Sequence, residues 1–216
     1  MDGATLQSRI YAGYAKASLR IGSTFSQYRP TAASAPISAP YLLRSMLASF
    51  NAMDMSYGKP NLYGKPMWYC LADGALLAVG DYLVGTNGST YFIAAMQPLL
   101  PILAVECNRT VTLYRPQQQA GVGAVGYGGN TAQNETVLAS GFPASVLQGT
   151  KGEHGDTKLP GDVRNPWWSI LLPNIPGAIR LRTDDVMLDD QGRRYTLSST
   201  EQTDLGWRIT AMEAAT

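Results

Sequence analysis

The chain holds a single histidine, His154, set between Glu153 and Gly155 in a polar stretch. General acid–base work, a Ser-His-Asp or Cys-His arrangement, or an imidazole metal site would all have to recruit it. No Gly-x-Ser-x-Gly elbow is present, and no Cys pair stands at metal spacing. Gly121-Val122-Gly123-Ala124-Val125-Gly126 has dinucleotide-binding spacing. Its context rejects that reading. Pro116 and three glutamines separate it from the preceding strand, and Tyr127-Gly128-Gly129 stands where a helix would have to begin, so no helix N-terminus awaits a pyrophosphate. Asp184, Asp185, Asp189 and Asp190 resemble a calcium loop in density only. The glutamate that closes an EF-hand is missing, and turn-forming aspartates are the better account. Cys70 and Cys107 read as small buried hydrophobes. Asn87, Asn108 and Asn134 open Asn-x-Ser/Thr sequons, which carry meaning only in a secreted chain. These residues predict no enzyme, no cofactor and no metal.

The elements beneath them are more informative, because one pattern occurs twice. Gly80-Asp81-Tyr82-Leu83-Val84, Gly88 and Tyr91-Phe92-Ile93 form the first copy. Asp184-Asp185-Val186-Met187-Leu188, Gly192 and Tyr195-Thr196-Leu197 form the second. In both, Gly follows Asp by seven positions and Tyr follows Gly by three. Each copy has hairpin grammar: an apolar run, a Gly-containing turn, and a run opening on β-formers. The parallel extends to Trp68 and Trp168, each opening a leading strand, and to Val105 and Ile209, each fourteen residues after its tyrosine. The fold expected is mainly β with an N-terminal helical arm and two related small barrel- or sandwich-like modules.

Three segments follow. Residues 1–66 are expected to form the helical arm and an extended linker, with one helix over 5–21 (Leu6, Ile10, Tyr14, Ala17 and Ile21 on one face, Gly22 as stop). A second helix is expected from Pro40 to about Asp54, with Leu43, Met46, Leu47, Phe50 and Met53 on one face. Tyr57-Gly58-Lys59-Pro60 and Tyr63-Gly64-Lys65-Pro66 repeat locally and read as a looping connection. Residues 67–149 form module one, with strands at 67–71, 77–84, 90–95, 103–107 and 110–115. Its Gln117–Asn134 stretch is a Gly-rich loop, and a hairpin is expected to turn at Gly141-Phe142-Pro143. Residues 150–216 form module two, led by Trp167-Trp168, with further strands at 179–182, 185–188, 193–198 and 207–212.

Composition limits what such modules do. Only 15% of the 216 residues are charged, against roughly 25% in ordinary soluble domains. So sparse a charge cover predicts that much of the surface faces other protein. Residues 1–66 carry seven Lys/Arg against Asp2 and Asp54, a balance of +5, while the remainder sums to −4. A basic arm on a mildly acidic body fits an acidic neighbour, another copy of the chain included. Nucleic-acid binding competes, but the arm lacks a dense Lys/Arg cluster. Arg9, Lys16, Arg20 and Arg29 are the candidate arm contacts. Tyr57, Lys59, Tyr63 and Lys65 are candidates in the Tyr-Gly-Lys-Pro strip. Trp167 and Trp168 are neighbours in a strand, so one ring points inward and the other is an interface candidate. Met1–Gly22 lacks the apolar h-region of a signal peptide, and Leu99–Val105 is too short to span a bilayer. A protein made in a reducing cytoplasm, with no membrane association, is expected.

The Gly80-Asp81 hairpin, Leu100-Pro101-Ile102-Leu103-Ala104-Val105-Glu106-Cys107-Asn108-Arg109, the Trp167-Trp168 strand and Thr203-Asp204-Leu205-Gly206-Trp207-Arg208 carry a resemblance. The chain resembles a family of structural proteins of tailed bacteriophages and prophages. The likeness covers most of its length. The Gly-Asp…Gly…Tyr hairpin is also similar to the small β-barrels of head-closure and head–tail joining proteins, though two modules and a helical arm depart from a simple stopper. The resemblance implies a virion component, assembled in the host cytoplasm, that forms a homo-oligomeric ring at the neck. It implies portal, adaptor and tail proteins as partners, passing contact with DNA in a channel, and no catalytic residues. The alternatives are a tail hub, tail tube or baseplate ring, and a carbohydrate- or host-surface-binding module using Trp167, Trp168 and Tyr127.

Overall fold

The structure, a computed structural model, describes residues 2–52, 64–117, 134–149 and 167–214. Helix α1 (Gly3–Ile21) begins at Asp2, whose carboxylate accepts from the Thr5 N–H at 2.8 Å. It ends where the Gly22 N–H reaches the Ser18 carbonyl, with Arg20 in the last turn complementing the helix dipole. Its inward side places the Tyr11 ring so close over Gly74 that a Cβ there would run into it. Leu6 and Ile21, at the ends of the expected apolar stripe, remain exposed.

The strands that follow make two closed barrels. Barrel one contains β1 (Ser23–Tyr28), β2 (Leu42–Ala52), β3 (Met67–Leu71), β4 (Tyr82–Gly85), β5 (Thr90–Ala95) and β6 (Ile102–Cys107). Barrel two contains β7 (Arg109–Pro116), β8 (Glu135–Gln148), β9 (Trp167–Leu172), β10 (Val186–Asp189), β11 (Arg194–Thr203) and β12 (Gly206–Glu213). The strand orders are β1-β2-β3-β6-β5-β4 and β7-β8-β9-β12-β11-β10, so adding six to every label turns one barrel into the other. All the strand pairs are antiparallel, and β1 with β4, or β7 with β10, closes the ring.

The repeat extends to register. Tyr82 faces Phe92 as Val186 faces Thr196, which aligns Asp81 with Asp185 and Tyr91 with Tyr195. The β5–β6 ladder slips between Ile93 and Ala95, and the β11–β12 ladder slips at the matching place, between Leu197 and Ser199. Trp68 pairs with Ala104 as Trp168 pairs with Ala211, so the two tryptophans are equivalent. The same pairing corrects the match of Val105 with Ile209. Val105 corresponds to Met212, because each lies opposite the residue after its tyrosine, Phe92 or Thr196.

Several expectations fail for physical reasons. The second helix is absent: Ala39–Tyr41 is one 3-10 turn and Leu42–Ala52 is strand. Leu43, Met46, Leu47 and Phe50 read equally as a helical stripe, but closure of the barrel selects alternation, with Met46 and Ala48 inward and Leu47 outward. The first 66 residues are therefore more than an arm, since β1 and β2 are barrel staves. The expected limit at 149 also moves. Asn108 is the one residue between β6 and β7, and β7 and β8 belong to the second barrel. Residues 136–147, expected as a hairpin, do not turn back at Gly141. Its φ of +72° is absorbed as an irregularity within β8, a single 14-residue strand. Residues 179–182 form no strand.

Each barrel is filled by its inward residues. Phe25, Met46, Leu83, Ile93 and Ile102 are buried in barrel one, and Leu113, Phe142, Ile170, Leu197 and Ile209 in barrel two. Between them lies a shared apolar seam. Tyr82, Phe92, Ala94 and Val105, on the outside of barrel one, join the core of barrel two. The Tyr82 hydroxyl donates to the Pro143 carbonyl at 3.0 Å. The Asn108 side chain donates to the Val146 carbonyl and accepts from the Val146 N–H.

Candidate functional site

The buried aspartates of the described chain are held by the fold. Asp81, just ahead of β4, is 1% exposed and accepts from Gln27 Nε2 (2.7 Å), the Ala78 N–H (2.8 Å), Arg29 Nε (2.6 Å) and Arg29 Nη2 (2.7 Å). Asp185, just ahead of β10, is 2% exposed and accepts from the Arg182 N–H (2.8 Å), Arg115 Nε (2.9 Å) and Arg115 Nη2 (2.8 Å). Arg29 directly follows β1 and Arg115 lies near the end of β7, the strands that close the barrels, and each also donates to a carbonyl five residues before its aspartate, Leu76 or Arg180. These are two copies of one bidentate latch. The hydrogen bond to its aspartate raises the pKa of each guanidinium further. Arg29, expected as an arm contact, is thus spent holding β1 to the turn before β4. Sequence reasoning placed both aspartates in the repeated pattern and read Asp185 as a turn residue, without seeing their arginines. The signal was available: Tyr28-Arg29-Pro30 and Tyr114-Arg115-Pro116 are the same tripeptide.

The other aspartates do not converge. Asp189 is buried, takes the Gln191 and Arg193 N–H groups on Oδ1, and accepts the Tyr195 hydroxyl on Oδ2 at 2.9 Å. Asp190 is exposed beside Arg109, and Asp184 sits at φ +71° where the first copy has Gly80 at φ +88°. Among the described residues no three His, Cys, Asp or Glu gather as a metal site. Burial pushes the Cys70 thiol up to about 12 and also raises Cys107, so neither is poised as a thiolate nucleophile. Burial likewise drives the Tyr91 and Tyr195 phenols up to about 12.

The tryptophans divide as their alternation requires. Trp168 turns inward and meets the Tyr195 ring edge-on at 5.5 Å, as Trp68 meets Tyr91 at 6.3 Å. Arg193 stacks over it at 5.7 Å. Trp167 turns outward and closes over Gly149. Both rings are half-buried. On α1, Arg9, Lys16 and Arg20 are all exposed, and no acidic residue lies within the helix. Spacings of seven and four put them on one side, a basic face at the periphery of barrel one. Lys65 is exposed at the edge of the strip. Tyr57, Lys59, Tyr63, His154, Tyr127 and the 121–126 glycine motif lie outside the described residues.

A concavity of about 310 Å³ opens between the end of α1 and barrel one, lined by Ile21, Thr24, Ser49, Asn87 and Ser89 above Phe25, Phe50 and Tyr91. Phe50 and Tyr91 are stacked at 3.7 Å. Among the described residues no ionised side chain lines it, and what they offer is shape and hydroxyls. No helix among the described residues is long and apolar enough to cross a membrane. Comparison with protein-family models, curated proteins and solved structures found no match.

Proposed function

We propose that the chain is a structural subunit of a tailed-phage particle, a ring-forming neck protein that joins portal and tail. The observation that carries this reading is the tandem of two barrels of one topology behind a helix with a basic outer face. A repeated barrel with its polar groups spent on internal latches suits a building block, since what remains outside is contact surface. The basic side of α1 is the part offered to an acidic neighbour, and the exposed Leu19 next to it adds apolar area.

Reconstruction of the particle tests the station directly: density for two stacked barrels per subunit is expected between portal and tail. Finding the subunit at the baseplate or along the tube would transfer it to the distal tail, and its absence from virions would end the reading. A functional check uses Arg9→Glu, Lys16→Glu and Arg20→Glu together. The variant is expected to fold normally while heads and tails accumulate unjoined, and normal joining would count against the basic face as the contact. A host-glycan role fits less well, because Trp168 faces the core and the Trp167 ring is half-buried over Gly149.

A further inference from the structure

The seam between the barrels is one filled interface, and the repeat leaves part of each counterpart half exposed elsewhere on the same molecule. On the receiving side, β9 pairs with β8 only from Ser145 to Gln148, so the preceding part of β8 has an open edge. A strap from barrel one fills it: Ser34 bridges Ser140, the Ala35 N–H reaches the Ser140 carbonyl, and the Ser140 N–H reaches the Ala33 carbonyl, both at 2.9 Å. On the donating side stand Tyr82, Phe92, Ala94 and Val105.

The counterpart of the β8 edge is β2. Met46 lies opposite Phe25 as Phe142 lies opposite Val111, which places Leu47 where Pro143 is. β3 pairs with β2 only from Ser49 to Ala52, leaving Leu42–Ala48 with β1 as its one strand neighbour among the described residues. Helix α1 packs against part of this strand, with Gly22 at its end meeting Ala48, while Leu42, Leu43, Arg44 and Ser45 stay exposed. Leu42 and Leu43 are 47% and 44% exposed. The counterpart of the donating face is the outside of β11 and β12, since Val186 of β10, in the place of Tyr82, is already buried. There Thr196 stands for Phe92, Met212 for Val105, and Trp167 for Met67, its cross-strand neighbour. Met212 is 45% exposed. Charge agrees with the match: exposed Arg44 follows Leu43, and exposed Glu213 follows Met212.

We propose that copies of this chain join head to tail, the outer face of barrel two in one copy seating on the open β2 edge of barrel one in the next. The pairing is heterologous, so it propagates until a ring closes. It rests on the ring-subunit reading for its purpose and on the barrel repeat for its geometry.

Leu43→Glu and Met212→Glu each alter one half. Analytical ultracentrifugation is expected to show concentration-dependent assembly of the unaltered chain and single chains for either variant alone. An equimolar mixture of the two is expected to form a dimer and stop, because only one intact edge and one intact face remain. If Leu43→Glu lowers the thermal midpoint, Arg44→Glu with Glu213→Arg supplied in the other copy puts the same question at exposed positions. An unaltered chain that never associates, variants that assemble as it does, or a mixture that fails to pair would overturn the proposal. Rings in particles built through other faces would remove this inference and leave the neck reading. Assembly through these faces by a chain absent from virions would do the reverse.

Discussion

Asp81 and Asp185 are where single atoms decide stability. Each is buried and takes two hydrogen bonds from one guanidinium, yet that guanidinium still reaches solvent. Asp81→Asn is therefore expected to cost about 2 kcal/mol, below the roughly 3–5 kcal/mol of a wholly buried pair. Asp185→Asn should cost a similar amount, and urea denaturation of both variants measures it. The phenols give a pH signature. Tyr91 and Tyr195 keep their protons to about pH 12 in the folded chain, whereas an unfolded tyrosine ionises near 10. Their contribution to stability is complete below about pH 10 and is lost as the pH rises through 12. Thermal melts should fall across that window while tyrosinate absorbance lags the free amino acid. A lag without a falling melt would show the phenols to be less enclosed than the structure has them. Gly80→Ala is expected to cost about 1 kcal/mol through backbone conformation alone, since open space surrounds the site.

At the scale of elements, the informative side chain is Phe92, which leaves barrel one to fill the seam. Phe92→Ala should cost about 3 kcal/mol and separate a single denaturation transition into two, because each interior stays intact while their junction empties. One unchanged transition would show that the barrels are coupled by other means. Both hairpins, the Trp68–Trp168 correspondence, the helix from the first residues to Gly22, and the mainly β class are legible in the sequence, because short-range turn chemistry and spacing encode them. β2 is not, since Leu43, Met46, Leu47 and Phe50 satisfy either period and only pairing with β1 and β3 resolves the choice. The assignment of β7 to the second barrel is not legible either. Its partners are β8 and β10, the latter some seventy residues away across the latch of Arg115 and Asp185. The apolar seam hides in ordinary strand residues, because an outward Phe looks like any other until a second barrel covers it.

For the whole molecule, the same topology used twice means that one solution to closing a small barrel serves two bodies with different outer faces. The latch, the bulge and the Trp–Tyr contact are kept, while the outer positions diverge: Phe92 against Thr196, Val105 against Met212. Passage from one barrel to the next through Asn108 alone has a mechanical meaning. With no slack tether between them, tension applied at one end should reach the other undamped, and torque should turn both as one lever. Pulled from its termini, the chain should yield by rupturing a barrel rather than by first paying out a linker.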